Sequence, residues 1–337
     1  MTKEGDHTVK ESTTNNSIQM VKQTGVLASI NAHGEVITWR RIKEGLLLQP
    51  MALYFFSIPI LFYVAPHREP WKLLVGFASY MLFSLLALVT NHRFFSHISF
   101  KTSRPFRALL ACVACLGMQY GPLWWSCKHR RHHKHCDLPR DPHSWKQQGF
   151  FHSWMGWVMC REEREIEEEF LHPSLFVQDP KTGKKTIAWE LVLIDRFFWV
   201  PLYALVACCY WAGMSPENVF IFIWFAAHQC ILPILLFNVM FHPHEGLQPN
   251  KFGCYGTNNP LDPLTYILGE TDHEDHHIHP ARAHRNTGGL FDLSWWLVLK
   301  PLLCMGLIWA PVNYEHNEKV DRDKAIEQGR DQLIKSE

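Results

Sequence analysis

Lys128-His129-Arg130-Arg131-His132-His133-Lys134 places three imidazoles at i, i+3 and i+4, the spacing that stacks side chains on one face of a helix. Three imidazoles on one face can hold a metal ion. The spacing returns at His273-Glu274-Asp275-His276-His277, and a third pair, His92 and His97, closes the segment Asn91-His92-Arg93-Phe94-Phe95-Ser96-His97. Imidazole suits zinc, copper, iron and nickel, and one metal takes at most about six ligands, so these eight histidines argue for two metals at a common centre. With 21 histidines in the chain, one such box can arise by chance. Two copies of HxxHH and one of HxxxxH, set between apolar runs, are not explained that way.

Those apolar runs give the architecture. Of 337 residues 47% are apolar, with 14 Trp and 22 Phe, and they fall in blocks. Residues 46–65 carry no charge over about twenty positions, enough to cross a bilayer at ~1.5 Å per residue. A turn at 66–70 leads to a second run, 73–90, which ends just before His92. Further spans are expected over 197–213 and 219–239, joined by Met214-Ser215-Pro216-Glu217-Asn218. Residues 106–125 are also apolar, but Arg104 and Arg107 open the run and Gly117, Gly121 and Pro122 break it. A span there would put the first two boxes on opposite sides of the membrane, so it is read as an interfacial or buried helix.

The expectation is therefore an all-α integral membrane protein: four transmembrane helices in two hairpins, with a cytosolic helical cap holding an all-histidine dimetal site. Both termini and all three boxes share the face richer in Lys and Arg. Residues 1–41 read as a disordered cytosolic tail, 42–312 as the membrane domain and 313–337 as a charged cytosolic tail. The apolar run 290–312, interrupted by Asp292 and Lys300, reads as an amphipathic helix against the site. The charge-rich run 161–169 reads as a solvated helix without chemistry. Net charge is +1, so no global basic excess points to nucleic acid, and the ten cysteines, without a paired framework, read as buried free thiols. No secretory leader is evident at the start.

The pattern resembles the membrane fatty acyl desaturase family, whose members carry HxxxxH, HxxHH and HxxHH boxes between paired spans. Its closest likeness is to the acyl-CoA, delta-9 type. Gly269-Glu270 precedes the third box, and Asp141-Pro142-His143-Ser144 with the 149–157 segment follows the second, as in that family. The likeness covers roughly 46–309. It implies the ligand set His92, His97, His129, His132, His133, His273, His276 and His277. It adds a ninth ligand, His242, and Asn238 acting through a water, one helical turn apart at the end of the fourth span. His135, His279 and His284 are left outside the set.

The same resemblance implies two ferrous ions and an oxidoreductase that uses O2 to insert a cis double bond into a long-chain acyl substrate, acyl-CoA or acyl-lipid. Gln119 and Trp125 stand where the family's tunnel-bend residues stand and are candidate substrate contacts. Arg93, Arg104 and Lys128 are candidates for the headgroup. Asp137, Asp141, Glu270, Asp272, Glu274 and Asp275 are candidates to orient ligand rings, although Glu274-Asp275 departs from the residues common inside the third box. Neither a dinucleotide fingerprint nor a fused haem motif is present, so electrons would come from a separate cytochrome b5 or ferredoxin. The membrane would be that of the endoplasmic reticulum, or the inner membrane of a bacterium. A hydroxylase shares the same boxes. From another class, a non-catalytic metal-binding membrane protein would need polar groups along its spans, which these nearly lack.

Overall fold

Helix α1, Trp71–Ser96, runs for 26 residues, or ~39 Å, longer than the ~30 Å hydrocarbon core of a bilayer. Leu73, Leu74, Phe77 and Leu82 face outward from it, an exterior suited to lipid rather than water. Its last stretch, Leu88–Ser96, is wound as a π-helix and is buried from Val89 onward. That winding matters for the first box. Residues i and i+5 lie about 140° apart around an α-helix, whereas i→i+5 closure brings them toward one side.

This computed structural model describes residues 29–30, 36–37, 57–61, 69–160, 162–243, 254–258, 263–285 and 291–312. A two-residue ladder pairs β1, Ser29–Ile30, with β2, Val36–Ile37. The rest of the expected tails, 1–41 and 313–337, and most of the expected span 46–65 lie outside the described residues, although 57–61 are helical. The expected second span falls within α1.

After β3, Lys101–Thr102, come α2, Arg104–Cys115, and α3, Pro122–His135. Helix α3 begins with proline at its first position, where no N–H is needed. Its free amides at Leu123 and Trp124 donate to Asp195 Oδ1 at 2.8 and 3.0 Å, so a carboxylate caps the positive end of the dipole. A Cβ on Gly121 would lie 2.1 Å from that oxygen, which explains the glycine. Asp195 belongs to α4, Trp189–Arg196, which meets α5, Val200–Trp211, at a 68° bend. The expected third span, 197–213, therefore contains only twelve residues of α5, ~18 Å of helix. A helical run over 216–229 turns at Cys230 into α6, Ile231–Met240, in the place of the fourth span. Among the described residues α1 alone is long and apolar enough to cross a bilayer, and the bent α4–α5 pair makes a second if counted as one span.

Two expectations about the cap are corrected. The protein is not purely helical: β4, Phe176–Gln178, pairs with β5, Lys185–Ile187, around a polar turn, and β3 pairs with β6, Ile308–Trp309. The expected helix over 290–312 is α9, Trp295–Cys304, and Gly306 at φ 70° then reverses the chain into β6. The 161–169 run is not a solvated helix either. It forms short 3-10 turns, and Glu163 is fully buried against Lys128 and Arg131 of α3. Burial of an ion is tolerable there because each charge has an opposite partner. Between α6 and α9 lie α7, Pro263–Leu268, and α8, His273–Ile278, the latter carrying the third box.

The main core joins the end of α1, α2, α3, α4 and α9 through Phe95, Leu110, Leu123, Leu191 and Leu299, all nearly inaccessible. Each such side chain contributes about 1.5–3 kcal/mol through burial, so the histidine-bearing segments are fixed from behind.

Candidate metal centre

The three boxes and His242 converge between α1, α3, α6 and α8. His92, His97, His129 and His276 form one group whose ligand atoms all lie within 4.8 Å of one another; His132, His242, His273 and His277 form a second. His133 joins the first, with Nε2 at 2.9 Å from that of His276 and 3.1 Å from that of His129. The neighbouring contacts are similar: His92 to His276 is 3.0 Å, His97 to His129 is 2.9 Å and His242 to His273 is 2.8 Å. A metal about 2.1 Å from two nitrogens at right angles separates them by ~3 Å, so these spacings fit a metal at each group. All the ligand candidates expected from sequence thus come together. Helix α3 divides its three between the groups, since His129 and His133 turn to one and His132 to the other.

The protonation states suit ligation. Burial, followed by the positive potential of neighbouring histidines, holds His133, His273 and His277 well below 6.5, so the rings are neutral. The same holds for His129 and His276, with Arg285 adding to the effect. His132 differs. Burial pulls it down, but the charge and hydrogen bond of the Asp141 carboxylate, together with the charge of Asp137, raise it.

Three carboxylates hold ring nitrogens on the outer side of the site. Asp141 Oδ2 is 2.9 Å from His132 Nδ1, Asp137 Oδ2 is 3.3 Å from His242 Nδ1, and Glu270 Oε2 is 3.4 Å from His92 Nδ1. Such contacts fix which nitrogen faces inward. Asp275 instead binds Arg282, and the Glu274 backbone amide donates to Asn258. Glu270 is itself clamped by Arg93 and Arg285. Arg93, wholly buried, also makes a two-pronged contact with Asp292 at 2.8 and 3.0 Å. On Gly269, at φ 78°, a Cβ would meet the Asp292 carboxylate at 2.8 Å. One ion network therefore ties the first box to the third.

Several residues depart from their expected roles. Arg93 and Lys128 cannot meet a headgroup, because both are buried in ion pairs, and Arg104 is taken by Glu190. His143, which the sequence marks only as part of the 141–144 segment, packs its ring on His132 with centroids 4.4 Å apart. The cysteines are not all free thiols: Cys136 and Cys254 form a disulfide, while the other eight form none, Cys208 and Cys304 among them exposed. A separation of 118 residues left no local signal for that pair. His135 meets Phe170 edge to face and His284 stacks on Trp295, both away from the histidine groups.

A cavity of about 360 Å³ opens against both groups. Tyr80, Ser84 and Leu88 of α1 and Phe237, Asn238 and Phe241 form much of its wall, with His92, His129, His132 and His273 at one end. Trp125 lines it and stacks on His129 with centroids 4.7 Å apart. Gln119 lines a smaller adjoining cavity and donates to the Cys230 carbonyl at 3.1 Å. The arrangement joins a largely apolar chamber to two metal-sized histidine groups.

The comparison with known proteins agrees in kind. Residues 69–301 match the family described as fatty acid desaturase. The chain is 29% identical to stearoyl-CoA desaturase 5 of Bos taurus over 270 residues, 79% of this chain and 77% of the relative. It is 24% identical to the Delta(9)-fatty-acid desaturase fat-6 of Caenorhabditis elegans over 287 residues, 81% and 78% of the two chains. Against the acyl-CoA desaturase of Cyprinus carpio, 173 residues are 32% identical, 51% and 48% of the chains.

Proposed function

This chain belongs to the fatty acid desaturase family, and we propose that it inserts a cis double bond into a long-chain acyl-CoA at a pair of iron ions. The observation that carries this reading is the apolar cavity that ends on both histidine groups. His92, His97, His129, His133 and His276 would hold one iron. His132, His242, His273 and His277 would hold the other, with Asn238, which lines the same cavity, acting through a water. Bound there, the irons would supply the O2-dependent oxidation that a saturated C–H bond requires.

The chain's own residues do the rest. Asp141, Asp137 and Glu270 hold three rings with Nε2 inward. Burial keeps most of the imidazoles neutral, and therefore competent to donate a lone pair. The cavity wall excludes water and lays an extended acyl chain along α1 and α6, which fixes which carbons approach the metals. Trp125, packed on a ligand ring, defines the wall nearest the reacting carbons.

The names of the relatives and the cavity's apolar wall support acyl-CoA as the substrate class. In the proposed topology four spans carry residues 42–312 and leave the boxes and both tails in the cytosol, where cytochrome b5 or ferredoxin delivers electrons. The exposed apolar faces of α1 and α5 support membrane embedding. Expression in a desaturase-deficient host, with fatty acids profiled by gas chromatography and mass spectrometry, tests the reaction. A new unsaturated acid, absent with His132→Ala at equal expression, is expected. No new acid from iron-loaded protein supplied with acyl-CoA, O2 and reductant contradicts it.

A further inference from the structure

The disulfide lies against the outer side of the second histidine group. Cys136 caps the C-terminus of α3, and Cys254 reaches it from the 254–258 segment, with Cα atoms 5.4 Å apart. Cys136 Sγ is 3.7 Å from His242 Nδ1, Cys254 Sγ is 3.9 Å from the same nitrogen, and Cys254 Sγ is 3.7 Å from His277 Nδ1. All four residues are buried, and their ligand atoms lie within 4.8 Å of one another. These two histidines turn their opposite nitrogens, Nε2, toward His273 at 2.8 and 3.1 Å.

Two sulfurs and two imidazole nitrogens form the donor set of a tetrahedral zinc site. Bonds of ~2.3 Å to sulfur and ~2.0–2.1 Å to nitrogen give sulfur–nitrogen edges of about 3.5 Å, close to the three distances above. Oxidised, the sulfurs are bonded to each other and offer no thiolate. We propose that reduction of Cys136–Cys254 opens a zinc site, shared with His242 and His277, that competes with metal binding at the second histidine group.

The chemistry balances. Two equivalents of a monothiol of the glutathione class supply two electrons and two protons, becoming a disulfide while Cys136 and Cys254 become thiols. Zinc then displaces both thiol protons. To bind zinc through Nδ1, each neutral imidazole carries its proton on Nε2, which blocks the lone pair facing His273. One ring thus serves the outer site or the inner group. The site itself does not depend on the desaturase reading; only the competition with catalytic metal rests on it. The cytosol keeps thiols reduced and its disulfides are characteristically transient, so the proposed topology favours the reduced state.

Cobalt(II) is the probe, because thiolate ligands add a near-ultraviolet charge-transfer band that histidine ligands alone do not give. The full chain in detergent, reduced with a phosphine and desalted, should show the band on cobalt addition. The unreduced chain and the Cys136→Ser/Cys254→Ser variant should lack it, while keeping the visible cobalt bands of the histidine groups. No band in the reduced chain, or an undiminished band in the double variant, overturns the proposal. A second measurement uses the unaltered sequence and does not depend on the variant folding. After reduction, zinc should protect Cys136 and Cys254 from alkylation, as read by peptide mapping, and equal labelling with and without zinc overturns the site. Both readouts are independent of turnover, so an inactive protein that still shows band and protection counts against the desaturase reading alone.

Discussion

Asp141 Oδ2 lies 2.9 Å from His132 Nδ1, and both groups are almost completely buried. The carboxylate also accepts the backbone N–H of Asp137 at 2.8 Å, so its position is set independently of the ring. It thereby directs His132 Nε2 into the second histidine group. Outer contacts of this kind typically change metal affinity or activity by about 10–100-fold.

Asp141→Ala should therefore weaken metal binding by about that factor. Asp141→Asn, which keeps a hydrogen-bonding oxygen but not the charge, should recover part of it. Competition against a chelator of known affinity measures both, and unchanged affinity in the alanine variant would remove Asp141 from this role.

Asp292→Ala should destabilise the fold. It strips the two-pronged partner from Arg93, a fully buried guanidinium, and takes away an acceptor of the Arg285 backbone amide. Breaking such a pair costs about 3–5 kcal/mol, because the remaining charge stays buried. A lowered thermal midpoint in detergent is the expected result; an unaltered midpoint would mean that Glu270 alone suffices.

Trp125→Ala should change which acyl chains are used, or where the double bond falls, more than it changes metal content. The indole lines the cavity and stacks on His129 but donates no ligand. A product profile identical to that of the unaltered chain would show that Trp125 only packs.

Acid should destabilise the metal-free protein. The neutral histidines, such as His129, His273 and His277, sit well below 6.5 in the folded state chiefly through burial. Their rings take up protons near 6.5 when unfolded, so below that pH the unfolded state binds more protons and stability falls. Above it their contribution is complete. His132, raised by Asp141 against the pull of burial, acts in the opposite sense: its contribution is present below 6.5 and fades as pH rises through its folded value. One ring does not offset the others, and a thermal midpoint that falls between pH ~7 and ~5 is expected. A midpoint that is flat or rising on acidification would contradict the neutral assignment.

The histidine boxes were legible because their information is local: i, i+3 and i+4 define a helical face whatever surrounds it. The division of one box between two groups was not, since it depends on where α1, α6 and α8 approach α3. Glu163 shows the same limit. In sequence it belongs to a charge-rich run that looks solvated, and only the fold sets it against Lys128 and Arg131. The bend between α4 and α5 carried a faint signal in Asp195, an acidic residue beside an apolar run, but its role as the cap of α3 depends on a contact 72 residues away. Arg93 looked like a surface cation because its neighbours end a span; its partners lie almost 200 positions later.

Counting the metals tests the two-centre reading most directly. The full chain, reconstituted anaerobically with ferrous iron and freed of loose metal, is analysed for iron per chain, alongside His97→Ala and His273→Ala, each of which alters one group. Two irons per unaltered chain are expected, with each variant losing mainly one. A single iron at saturation, or two irons that both variants retain in full, would contradict it.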